Sequence, residues 1–236
     1  MKSGAGNLSQ LIWKTVDWFY PPVCVECGSE GANICPECMQ TLVPIQEPFC
    51  PICGKPSRHH NPCALCAASQ FEFSAARAAF SYTGAIRSAI KKLKYFQNLG
   101  LSKLFAGFLA SVYTNAGWQA DLVTAVPLFK KRLAGRGFNQ SEWIARPLAG
   151  MIRIPFSSGA LQKIVNTRPQ VELDQQERSR NLQEAFRAEP ALVKTKKVLI
   201  VDDVMTTGAT FNECAHTLRQ AGASEIYCLS VASTVI

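Results

Sequence analysis

The chain has 236 residues, 47% of them hydrophobic, which is enough for one α/β domain of ordinary size plus something small. It has no run of about twenty apolar residues, and Lys14 and Asp17 interrupt the apolar N-terminal stretch, so neither a helical membrane span nor a signal peptide is expected and the expected location is the cytoplasm. The formal charge of +8 invites a nucleic-acid reading, with a solvated basic surface as the alternative.

Residues 8 to 20 set Leu8, Leu11, Ile12, Trp13, Val16, Trp18 and Phe19 mostly three and four apart, which predicts an amphipathic helix over residues 1–22, ended by Pro21 and Pro22. The next segment, 23–70, holds four Cys-x-x-Cys pairs: Cys24 and Cys27, Cys35 and Cys38, Cys50 and Cys53, Cys63 and Cys66. A two-residue gap lets both thiolates of a pair converge on one tetrahedral metal, so two structural zinc ions are expected. Gly28 and Gly54 follow their pairs and suit tight turns, and short helices are expected after Cys38 and Cys66. This repeated order suggests an internal duplication. It favours Cys24, Cys27, Cys35 and Cys38 for one zinc and Cys50, Cys53, Cys63 and Cys66 for the other, with a cross-braced pairing as the alternative. A segment this short has too little core to fold on its own, so metal must supply folding energy, and docking on the rest of the chain is expected. His59 and His60 are read as loop residues.

From residue 71 the pattern alternates strands and helices. Residues 77–82 read as a strand and Ala85 to Tyr95 as a helix with Ile86, Ile90 and Leu93 on one side and Arg87, Lys91, Lys92 and Lys94 as its positive charges. Leu99 to Tyr113 reads as a second helix and Asp121 to Val126 as a buried strand. Lys130, Lys131, Arg132 and Arg136 then cluster after that strand end, where they could meet pyrophosphate, a nucleic-acid backbone or only water. Phe129 and Phe138 are the nearby aromatics that could stack on bases. Ser141 to Met151 continues as a helix. A strand near Leu161 gives way at Thr167 to a polar loop carrying Arg168, a candidate lid cation, then a helix with a capping box at Asp174 and Glu177. Phe186 to Ala188 and Glu225 to Ser233 read as strands, with Cys214 and Cys228 in the core.

Lys197 to Thr210 is the most informative stretch. Val198, Leu199, Ile200 and Val201 form an apolar run suited to a strand covered on both faces, and the run is expected to end at Asp202 and Asp203. A loop of Thr206, Thr207, Gly208, Ala209 and Thr210 follows, then a helix from about Phe211 to Ala221. Gly208 permits close backbone approach to an anion, and free N–H groups at the helix start favour negative charge. Carboxylates beside such a cradle repel phosphate but accept bonds from sugar hydroxyls, so the implied ligand is a sugar phosphate. A response-regulator receiver domain needs a later Asp and Lys, and neither type occurs after Asp203.

These residues resemble the signature of the type I phosphoribosyltransferases, which bind phosphoribosyl pyrophosphate (PRPP) with magnesium. The resemblance implies that Asp202 and Asp203 hold the ribose hydroxyls and that Thr206, Thr207, Gly208, Ala209 and Thr210 hold the ribose phosphate, with Arg168 joining the two aspartates as catalytic candidates. Together with the four cysteine pairs, Arg136 to Gln140, and Thr167 to Gln170 with Leu173, Arg178 and Asn181, nearly the whole chain resembles the ComF family, and in particular its GntX branch, tied to use of external DNA. The fold expected is α/β: a type I phosphoribosyltransferase-like parallel sheet flanked by helices over 71–236, preceded by the small cysteine-rich zinc module. Three functions follow from the resemblance: an active transferase with an unidentified acceptor, a PRPP-sensing adaptor without catalysis, or a single-stranded DNA-binding protein. Protein partners in DNA uptake are implied with each.

Overall fold

The computed structural model describes residues 22–58, 60–96, 98–166 and 185–234. The expected N-terminal helix, His59, Arg168 and the whole polar segment 167–184 lie outside the described residues.

Two short helices belong to the cysteine-rich segment, α1 (Pro36–Gln40) and α2 (Ala64–Ala68). They begin before Cys38 and Cys66 rather than after them. Cys35 and Cys63 are their N-caps, with nearly the same backbone conformation (φ −70, ψ 163 and φ −66, ψ 164), so each helix starts by presenting a thiol. The duplication read from the sequence is therefore also a duplication of geometry. Gly28 and Gly54 take φ +79 and +69, a left-handed turn that side chains resist, and their N–H groups close onto Cys24 and Cys50 carbonyls at 3.1 and 2.9 Å.

The body is a four-stranded parallel sheet of order β1-β6-β5-β2, made from β1 (Ala75–Ser81), β2 (Leu122–Ala125), β5 (Lys197–Met205) and β6 (Glu225–Ser233). A separate antiparallel ribbon pairs β3 (Leu161–Lys163) with β4 (Phe186–Ala188). Helices α3 (Gly84–Phe96), α4 (Leu99–Asn115), α5 (Lys130–Arg136), α6 (Gln140–Ile152), α7 (Pro190–Val193) and α8 (Ala209–Gln220) connect the strands. Alternation along β5 sends Leu199 and Val201 to one face, against Ile86, Ile90, Phe105 and Ile144 of α3, α4 and α6. Val198 and Ile200 go to the other face, against Phe186 and against Phe211, Cys214 and Leu218 of α8. All four β5 residues from Val198 to Val201 are fully buried, as a strand covered on both faces requires.

Two elements differ from expectation. β5 does not stop at the carboxylates: β6 runs alongside it to Ser233, and the pairing continues through Asp202 with Ser230 and Val204 with Ala232, so the ladder carries both aspartates within the strand. The stretch 130–136, for which the sequence reading names no element, is a seven-residue helix with no buried residue, ended by Gly137 at φ 82.

The cysteine-rich segment docks on this body. Cys24, Ile34, Cys35 and Cys38 share a core with α3 and α4. Asn98, the N-cap of α4, donates from Nδ2 to Asn33 Oδ1 at 2.7 Å while its own Oδ1 caps Leu101 N–H. The linker pairs with the outer side of β1: Ile45 N–H donates to Ala79 O at 3.0 Å and Ser81 N–H to Val43 O at 2.8 Å. The second unit follows, with Ala76 N–H donating to Ile52 O at 2.6 Å. Arg77 donates to Pro51 O at 3.0 Å and lays its guanidinium over Phe49, 4.4 Å from the ring centre. A side chain at Gly54 would run into the Ala76 carbonyl, which is why the turn comes that close to β1. On the far side of the sheet Ser157 N–H donates to Val123 O at 3.0 Å.

Candidate functional site

Because every strand of the sheet is parallel, the carboxyl ends of β1, β6, β5 and β2 share one rim, where open α/β sheets take ligands. β5 delivers Asp202 and Asp203 there, and the turn after it opens α8. Gly208 is the N-cap of α8 at φ +85, and Ala209 N–H reaches back to Thr207 Oγ1 at 3.3 Å. Thr206 is exposed and Thr207, Ala209 and Thr210 are half-buried, so hydroxyl groups and a twelve-residue helix start face the same region. The expected helix start at Phe211 moves to Ala209, which brings the loop residues themselves into the first turn.

The two carboxylates do not share one environment. Asp202 Oδ1 accepts from Ser141 Oγ at 2.7 Å and from Asp203 N–H at 2.9 Å. Burial first, and then the neighbouring Asp203 charge, push Asp202 up to about 7, against the pull of the Ser141 bond. Asp203 leaves the strand toward the opposite face and is 4% exposed. Its Oδ2 lies 2.8 Å from Lys94 Nζ, on α3. Burial works against the Lys94 charge, but the Asp203 carboxylate outweighs it and holds the ammonium above its usual value.

The sequence names Lys94 only among the positive charges of its helix and Ser141 only as a helix start; the structure brings both to the acidic pair. Ser141 sits in the first turn of α6, held by the Asn139 cap, whose Nδ2 donates to Val126 O at 3.0 Å. Nothing local marks it. Lys94 does carry a signal: it continues the Ile86, Ile90 stripe at four-residue spacing, so a charge stands where the helix faces its core, and such a charge requires a partner.

Of the basic cluster after β2, Lys130, Lys131 and Arg132 are exposed on α5 and make no ion pair among the described residues. Arg136 is half-buried and donates to Gln140 Oε1 at 2.5 Å, which ties it to the start of α6. Phe138 is buried and packs on Trp143 with ring centres 4.4 Å apart, so it offers no open face for a base. A cleft of about 480 Å³ also opens between α8 and the β3–β4 ribbon, but Glu72 and Glu213 line it and would repel an anionic ligand.

The eight cysteines converge as two groups, Cys24, Cys27, Cys35, Cys38 and Cys50, Cys53, Cys63, Cys66, with ligand atoms within 4.8 Å of one another in each. This is the sequential arrangement. Burial works against charge at Cys24 and Cys50, yet backbone N–H groups draw them down to about 6 and about 7. Neighbouring thiols push Cys38 up, and burial followed by neighbouring thiols pushes Cys66 up. Four thiols this close cannot all ionise without a cation between them, and four sulfur ligands within reach of one ion fit structural zinc.

A family model described as a double zinc ribbon domain matches residues 15–67, and one described as a phosphoribosyl transferase domain matches residues 146–234. The class is thus a double zinc ribbon joined to a phosphoribosyltransferase-like domain. DNA utilization protein YhgH of Escherichia coli is 32% identical over 221 residues, covering 89% of this chain and 96% of that one. Competence protein ComFC of Streptococcus pneumoniae is 29% identical over 211 residues, covering 86% and 89%. Competence protein F of Haemophilus influenzae is 25% identical over 217 residues, covering 86% and 93%. The chain belongs to the ComF family.

Proposed function

We propose that this protein binds PRPP with magnesium at the sheet rim and acts as a phosphoribosyltransferase-like protein in DNA uptake or utilisation, in the cytoplasm, where reduced thiols keep zinc. The observation that carries the reading is the unit from Asp202 to Thr210: a hydrogen-bonded carboxylate, then hydroxyl groups and a left-handed Gly208 opening α8. In this reading Asp202 accepts a ribose hydroxyl, Thr206 to Thr210 receive the 5-phosphate, and magnesium accompanies the pyrophosphate. As a transferase, the site would let pyrophosphate leave through an oxocarbenium-like transition state and an acceptor take its place. Without an acceptor, the same site serves a PRPP-sensing adaptor. The names of the relatives, which speak of DNA utilization and competence, support the process and leave the acceptor open.

A second reading has its own support in Lys130, Lys131 and Arg132, three exposed cations on one short helix beside the rim. Single-stranded DNA would follow them by charge, away from Asp202, which repels a phosphate chain. One calorimetric series tests both readings. PRPP is expected to bind only with magnesium, and Asp202→Asn with Asp203→Asn to weaken it by about 1.5–3 kcal/mol for each charged bond lost. Unchanged PRPP affinity in that double variant would overturn the site assignment. An oligonucleotide is expected to lose affinity with salt by about 0.7 log units per phosphate neutralised and to depend on Lys130, Lys131 and Arg132. Failure to bind at low salt removes DNA as a direct ligand.

A further inference from the structure

The ion pair between Lys94 and Asp203 divides the labour of the two carboxylates. Asp203 is 4% exposed and already engaged, whereas Asp202 is half-buried on the other face of the strand. The Lys94 side chain is 27% exposed, so it lies at the solvent boundary of the rim and not in the closed core. An ammonium has three donors, and among the described residues only the Asp203 contact uses one. α8, which opens at the phosphate loop, packs on one face of the sheet, and α3, which carries Lys94, packs on the opposite face. Lys94 also lies within electrostatic reach of Asp202, each charge favouring the other, so a sugar phosphate with its 5-phosphate on the α8 start and its ribose on Asp202 has the Lys94 ammonium beside it on the same rim.

We propose that Lys94 is a further binding residue of this site, its ammonium receiving the pyrophosphate arm of PRPP, and that Asp203 is the positioning residue that holds Lys94 at the rim. This inference rests on the PRPP reading above. It assigns Asp203 to the protein's own lysine rather than to the ribose. It also adds a fixed cation anchored in a helix, in a site where Lys130, Lys131 and Arg132 stand on an exposed short one. The raised Lys94 ammonium keeps its charge throughout the neutral range.

The test compares two ligands that differ only in the arm concerned, PRPP with magnesium and ribose 5-phosphate, by calorimetry on the zinc-loaded full chain. Lys94→Met is expected to weaken PRPP about ten- to a hundredfold, the range of a charge-assisted hydrogen bond, while ribose 5-phosphate changes by less than about threefold. Lys94→Arg keeps the charge and is expected to recover most of the PRPP affinity. Because Lys94→Met leaves a buried carboxylate alone and could fail to fold, Lys94→Met with Asp203→Asn is measured beside it, and the same selective loss of PRPP is expected. Equal loss of both ligands, or PRPP affinity restored in the double variant, overturns the proposal, since Lys94 would then serve only as the counter-ion of Asp203. Wild-type protein that binds neither ligand instead overturns the PRPP reading itself, and the role of Lys94 falls with it.

Discussion

Asp202 stands where burial and charge conflict. Its carboxyl rises from the ordinary 3.8 to about 7 because burial and the adjacent Asp203 both disfavour a second negative charge. The folded chain therefore binds more protons than the unfolded chain between those two values, and this residue makes the protein less stable as pH rises through that window. Asp202→Asn removes the effect: the urea midpoint of wild type minus that of the variant is expected to fall from about pH 4 to 7 and to level off above it. Binding runs the other way. A ribose hydroxyl is held best by the ionised carboxylate, so the PRPP advantage of wild type over Asp202→Asn is expected to grow as pH rises through 7, and a constant advantage would mean that Asp202 does not touch the sugar. The acidic pair itself was legible in the sequence, since two carboxylates at the end of an apolar run stand out. That they face opposite sides of a continuing strand was not, because this depends on β6 supplying a partner as far as Ser233.

Among the elements, those with a buried stripe or a continuous apolar run were read well. β4 and β6 appear at Phe186–Ala188 and Glu225–Ser233, where the sequence placed them. α5 escaped because it buries nothing: a helix made of cations, glycine and single apolar residues has no period to detect. The start of α4 is equally silent in sequence, yet it is where the first zinc unit meets the body. Asn98 both caps α4 and donates to Asn33 in the loop between Cys27 and Cys35. Asn98→Ala is expected to cost about 1 kcal/mol of stability from the lost cap and to speed zinc release to a chelator, monitored by a metal-binding dye. Asn33→Ala is expected to speed zinc release without the loss of the cap. If zinc release is unchanged in both variants, the asparagine pair does not link metal site and helix.

At the scale of the molecule, the first zinc ribbon is part of the core, while the second keeps a small cluster of its own around Cys50, Cys53 and Cys66. Cys24, Cys35 and Cys38 pack in the same cluster as Leu93, Leu101 and Phe105, so the chain is expected to unfold in one transition that metal removal shifts as a whole. Elemental analysis is expected to find two zinc ions per chain. A metal-free protein with an unshifted melting curve would show that the ribbons are appendages. The cysteine spacing pointed to metal from the sequence, but how the segment closes the body became visible only with Ile45, Val43 and Ile52 lying along β1. These residues occupy the outward hydrogen-bonding groups of a border strand, and a strand with such groups bare is a template for another chain. Chelation therefore does more than loosen a module. It uncovers a sticky border, and the metal-stripped protein is expected to scatter light and self-associate through strand pairing well below its melting temperature, with a proline in place of Ala79 slowing that assembly. In the cell, zinc supply would then govern how much of this protein stays in solution.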